Sequence, residues 1–136
     1  MNAAILKRLL LVPVAILLIA AVPLVDPPPL DAPAVLTQKE VVSVLRKTLV
    51  SRGWLLTKDT ADEIEAKLDV RTHSIKVRYL VAKRQIAIKY LDSANMDYRL
   101  DRKGNPEIHR KYPGWINNVI LALNREMQLA VLAKPN

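Results

Sequence analysis

The spacing of apolar and polar positions changes character along this chain. Behind Lys7 and Arg8, an uncharged apolar run extends from Leu9 to Val25 and stops at Asp26. Beyond Thr37 the apolar residues Val41, Val42, Leu45, Leu49 and Val50 recur at helical spacing, which predicts an amphipathic helix from about Gln38 to Arg52. Thr37 and Glu40 stand where the two halves of a capping box belong, and Gly53 where a helix-ending glycine belongs. Trp54 to Lys58 reads as a short strand and Asp59 to Asp62 as a turn. The period then becomes two. Ile64, Ala66, Leu68 and Val70 alternate with charged residues; Ile75, Val77, Tyr79 and Val81 alternate with Lys76, Arg78 and Leu80, and Ile86, Ile88 and Tyr90 with Gln85, Ala87 and Lys89. This alternation predicts three half-buried strands.

Their register can be derived. A turn at Thr72-His73 pairs Val70 with Ile75, Leu68 with Val77, Ala66 with Tyr79 and Ile64 with Val81. A turn at Lys83-Arg84 pairs Val81 with Ile86, Tyr79 with Ile88 and Val77 with Tyr90. Both hairpins gather the large apolar residues on one face, and a one-residue slip would scatter them. Asp92 to Pro106 is polar and irregular, with Gly104-Asn105-Pro106 as a turn signal. Tyr112, Trp115, Ile116, Val119, Ile120, Leu123 and Met127 then form one stripe, predicting a second helix from near Pro113 to about Ala133. The expected fold is α+β: a two-layer sandwich of helix, three- to four-stranded antiparallel meander and helix, each burying its one apolar face.

The apolar run changes the picture of where such a domain works. A basic flank before an apolar core reads as a secretory signal, with a cut near Ala20-Ala21 or after Ala32-Pro33-Ala34. The rival is an uncleaved anchor: seventeen residues at about 1.5 Å each fall just short of a hydrocarbon core of roughly 30 Å. Lys7 and Arg8 favour export of the chain beyond the apolar run. Pro23 to Pro33 holds five prolines and two aspartates, which suits an extended spacer. The expected organisation is therefore residues 1–25 as signal peptide or membrane anchor, 26–36 as a Pro-rich linker and 37–136 as a periplasmic α+β domain. The location is either the inner membrane, facing the periplasm, or the soluble periplasm after cleavage.

Lys7 and Arg8 balance Asp26 and Asp31, so the net charge of +8 rests on the domain itself. A basic exported domain should meet anions, which points to a membrane surface, an acidic envelope component or another envelope protein. The absence of cysteine excludes disulfides and thiol chemistry. Ser43, Ser51, Ser74 and Ser93 sit in no nucleophile motif, and three glycines make no phosphate loop. No enzyme activity, cofactor or metal is expected. Asp92, Asp97, Asp101 and His109 match no metal-loop spacing.

Two groups of residues are candidates for binding. In the derived register Lys67, Arg78 and Lys89 lie opposite one another, a row of like charges suited to an anionic partner. Arg99, Arg102, Lys103, Arg110 and Lys111 add a second basic cluster by the last helix. The other candidate is a small ligand or hydrolytic site of His109, Tyr112 and Trp115 with Asp92 and Asn95 from the preceding loop. Alternatively Tyr112 and Trp115 belong to the core and His109 caps or ties the loop. Nucleic acid is not expected, because Tyr79 and Tyr90 share the buried parity and leave no aromatic platform outside. A cytoplasmic nucleic-acid binder is the reading only if the chain is not exported.

The residues Arg52-Gly53-Trp54, then Ile108-His109, Tyr112, Trp115-Ile116 and Asn118, resemble those of functionally uncharacterised small exported lipoproteins of Gram-negative bacteria. Tyr90, Asp92-Ser93, Asn95 and Tyr98 fit the same group. The resemblance implies an envelope location and a fold, and no activity. The chain departs from that group in lacking the lipidation cysteine, which leaves the apolar segment as the candidate tether.

Overall fold

The computed structural model describes residues 21–136. Lys7, Arg8 and the apolar stretch up to Ala20 lie outside the described residues. The fold is α+β, with two helices and two antiparallel sheets. The strands are β1 (Ala21–Pro23), β2 (Leu30–Asp31), β3 (Leu55–Asp59), β4 (Glu63–Val70), β5 (His73–Ala82), β6 (Gln85–Ala94), β7 (Arg99–Leu100) and β8 (Pro106–His109). The helices are α1 (Gln38–Ser51) and α2 (Lys111–Leu132). The larger sheet runs β2-β6-β5-β4-β3 and the smaller β1-β8-β7.

Local chemistry sets the limits of α1. The Thr37 hydroxyl accepts from the Glu40 amide at 3.1 Å, and the Glu40 carboxylate accepts from the Thr37 amide at 3.1 Å. Both halves of the capping box are therefore closed. At the other end Gly53 takes φ +86°, and the Gly53 and Trp54 amides donate to the carbonyls of Val50 and Leu49. This is a Schellman ending, which glycine permits because it has no Cβ. It turns Trp54 into the core, where its ring meets Tyr79 edge-on at 5.9 Å, and leaves Arg52 outside.

The meander forms with its apolar residues on one face, and Ile64, Ala66, Ile75, Val77, Tyr79, Ile86 and Ile88 are buried with residues from both helices. The β5–β6 register is the derived one, with Val81 opposite Ile86, Tyr79 opposite Ile88 and Val77 opposite Tyr90. Its tight turn holds Lys83 and Arg84 at φ 50° and 61°, the left-handed conformation of a type I′ turn. The β4–β5 register differs by two residues. Ile64 pairs with Tyr79, Ala66 with Val77 and Leu68 with Ile75, because the turn falls at Arg71-Thr72. A two-residue shift preserves which side chains point inward, so the apolar pattern could not distinguish the two registers.

Two features were not foreseen in the sequence. The polar stretch after Tyr90 is more ordered than expected: β6 runs on to Ala94 through a bulge at Leu91, and β7 and β8 form the small sheet. The segment expected to be a free spacer lies along the domain. Within residues 21–36, β1 pairs with β8 and β2 with β6. Its proline-rich backbone is fastened to the sheets at both ends. Proline suits such an edge position, where no ladder donor is needed.

Candidate functional site

The basic row on the outer sheet face does not assemble as derived. With the turn at Arg71-Thr72, Lys67 stands opposite Lys76 and Arg78 opposite Glu65; only Arg78 and Lys89 remain across from each other. Carboxylates are interleaved with these cations. Arg78 reaches Glu63 at 2.9 Å and Glu65 at 3.2 Å, Lys67 reaches Asp69 at 3.5 Å, and Lys76 reaches Glu65 at 3.7 Å. Alternating signs on a solvated face offset one another, so the attraction of this face for an anion is weak.

The residues around His109 separate into two groups. Asp92 lies opposite Lys76, and its carboxylate accepts from the Ser93 amide at 2.8 Å. Tyr112 is buried and meets Tyr90 edge-on at 5.7 Å; burial, followed by the nearby Asp26 charge, pushes its phenol well above the usual range. Asn95, His109 and Trp115 come together around His73. The rings of His109 and Trp115 lie 5.3 Å and 6.0 Å from that of His73. His73 Nδ1 bonds to the Asn95 carbonyl, and Asn95 in turn donates to the Thr72 hydroxyl at 2.7 Å. His109 Nδ1 accepts from the Lys111 amide at 3.1 Å, so its imidazole caps the first turn of α2. Arg110, at the N-cap position, makes no side-chain cap bond of its own. His73 was missed in the sequence because nothing in a strand pattern links a residue at the head of β5 to one at the end of β8.

A different site lies along α2. A cavity of about 460 Å³ at its N-terminal end is lined by Val70, Arg71, His73, Lys111, Gly114, Trp115 and Asn118. Trp115 and Asn118 also line a neighbouring cavity of about 190 Å³, with Arg52, Trp54, Leu68 and Val119. Arg52 and Asn118 line a further one of about 250 Å³, with Leu121, Ala122 and Arg125. Shared lining residues place these three hollows side by side, as a shallow groove along α2. It carries the cations Arg52, Arg71, Lys111 and Arg125 and both tryptophans, and no carboxylate lines it. None of those cations forms an ion pair among the described residues.

Local sequence explains why these side chains meet. Lys111, Trp115, Asn118, Ala122 and Arg125 are spaced four, three, four and three apart, which lines them up along one side of α2. The Schellman ending of α1 presents Arg52 from the facing element. Arg71 is supplied by the β4–β5 turn, where it takes φ 55°. A guanidinium offers paired donors to a carboxylate or phosphate, and lysine a compact charge. Uncompensated cations beside an indole can hold an anion with an apolar flank. Most residues of the Arg52-Gly53-Trp54 and Trp115-Ile116-Asn118 signatures sit at this groove. The signal available in the sequence was the polar stripe of α2, which runs beside its more conspicuous apolar stripe.

Among the described residues there is no group of three or more His, Cys, Asp or Glu placed to hold a metal ion, and no helix long and apolar enough to cross a membrane. Comparison with protein-family models, curated proteins and solved structures finds no match to this chain.

Proposed function

We propose that this is a non-enzymatic envelope protein whose basic domain docks on an anionic membrane surface through the groove along α2. The observation that carries the reading is the set of unpaired cations Arg52, Arg71, Lys111 and Arg125 around two tryptophans, with no carboxylate in the lining. A supporting observation is where the chain enters the domain. Ala21 pairs with His109, next to Lys111 at the head of the groove. The apolar segment of the sequence therefore joins the domain at its basic corner. That segment directs export; the groove supplies the contact with the membrane surface. Catalysis is not favoured at His109, because the nitrogen that would act as base is already the cap of α2.

The test is co-sedimentation with vesicles containing phosphatidylglycerol. Each cation near an anionic surface contributes about 1 kcal/mol. Replacing Arg52, Lys111 and Arg125 with Gln should therefore weaken binding by about a hundredfold. Lys67→Gln with Arg78→Gln should change it by no more than a few fold, because both cations already face carboxylates. Equal losses from the two sets, or unchanged binding of the groove variant, would overturn the proposal. Steep salt dependence on plain duplex DNA with no vesicle binding would point instead to nucleic acid.

A further inference from the structure

Residues 21–34 were expected to divide between the end of an apolar leader and a spacer, yet the fold uses them as a strap. The Leu24 amide donates to the Pro106 carbonyl at 2.9 Å and the Ala32 amide to the Arg84 carbonyl at 2.8 Å. The Asp26 carboxylate accepts from the Tyr90 amide at 3.0 Å, and Asp31 from Gln85 at 2.9 Å. Val22, Leu24, Leu30 and Ala32 pack against the core. The strap closes one edge of each sheet, β8 by its first half and β6 by its second.

This placement bears on how the leader is removed. Ala21 to Pro23 cannot both pair with β8 and lie in a bilayer. Subtracting them and the bonded Leu24 leaves, unless Lys7 and Arg8 snorkel so that Ala3 to Leu6 join it, a usable apolar run of Leu9 to Ala20, twelve residues. As a helix that spans about 18 Å, well short of roughly 30 Å of hydrocarbon. Twelve residues do fit the apolar core of a signal, which takes about 7–15. A cut after Ala34 would instead strip the outer strand from both sheets and uncover the core beneath it. Bare edges pair with other chains, so such a product is prone to aggregate.

We propose that the exported chain is processed between Ala20 and Ala21, that residues 21–34 stay as built-in edge strands, and that Ala32-Pro33-Ala34 is not cut. The inference rests on export of the domain and on the strap, not on the groove. A signal cut favours small residues at the last and third-last positions; here Ala20 holds the last position and Leu18 the third-last, so leucine at position 20 removes the one small residue before the bond and blocks the cut. The test is the intact mass and cell fraction of the full-length chain expressed in a Gram-negative host, as wild type, Ala20→Leu and Ala34→Leu. Ala34 is exposed, and leucine is accommodated there. The expected result is a mass beginning at Ala21 for wild type and Ala34→Leu, and an uncut chain for Ala20→Leu. A wild-type mass beginning at Val35 that Ala34→Leu abolishes overturns the proposal. So does an uncut wild-type chain. The fraction separates the two readings: an uncut or Val35 chain in the membrane or periplasm leaves the envelope function standing, and an uncut chain in the cytosol removes both.

Discussion

Tyr79 offers a sharp test of how this core is held. It stands on β5 opposite Ile64 on one side and Ile88 on the other, and none of it is exposed. Its ring packs edge-on against Trp54. Its hydroxyl is buried with no hydrogen-bond partner among the described residues. Burial therefore drives its ionisation well above the ordinary range, with Tyr112 adding to the effect. A buried hydroxyl left unpaired costs about 1–3 kcal/mol. Tyr79→Phe removes that cost and keeps the ring contacts. Against it stands the loss of one oxygen's dispersion contacts, a few at about 0.1–0.2 kcal/mol each. The balance is a gain of about 1 kcal/mol, which for a domain of this size raises Tm by about 4 °C. Thermal unfolding monitored by far-UV circular dichroism reads this directly. A loss of 1 kcal/mol or more in Tyr79→Phe would refute the reasoning, since it would require the hydroxyl to be satisfied in the folded protein.

The β5–β6 turn should also be improvable. Lys83 and Arg84 both hold the left-handed conformation, which favours Asn-Gly, so Lys83→Asn with Arg84→Gly should add about 1 kcal/mol and raise Tm. A lower Tm would mean that those side chains hold the turn through contacts of their own. Stability should also weaken in acid. Arg46, hydrogen-bonded to Asp59, holds that carboxyl below its usual range, and the Lys134 ammonium followed by the Thr37 amide does the same for Glu40. A carboxyl lowered in the folded state stabilises above its ordinary value, and that contribution disappears as pH falls through the folded value. The urea midpoint should therefore drop below about pH 4, and drop less in Asp59→Asn with Glu40→Gln. An identical slope in that variant would place the acid sensitivity elsewhere. Both groups are exposed, so the effect is small.

Much of the fold was legible because it is written in local periods and caps. Thr37 and Glu40 announce α1 by chemistry that operates within four residues, and Gly53 ends it by conformational freedom. The alternation in β4, β5 and β6 marks the buried face because a strand's side-chain period is two. The same period hid the error in the β4–β5 register, since a slip of two residues leaves every face unchanged. The consequence was functional: in the basic row drawn through Lys67, Arg78 and Lys89, the first two are paired with carboxylates. The cluster around His109 was half legible. Its capping role and the neighbourhood of Trp115 arise from closeness in sequence, whereas His73 joins them only through the sheet.

By itself the sequence determined the α+β class, the positions of both helices and the three central strands, most of the core, although Val50 of the α1 stripe is exposed, and the net positive charge of the domain. Each of these depends on neighbours within a turn or a strand pair, where propensity and burial act together. Tertiary structure alone decided that residues 21–34 form a strap, that Arg52 and Arg71 meet the polar side of α2, and that the sheet-face charges cancel. Those outcomes join residues far apart in the chain. Short segments such as β1 and β2 gain their stability only from the edges they cover, so no local pattern marks them in advance.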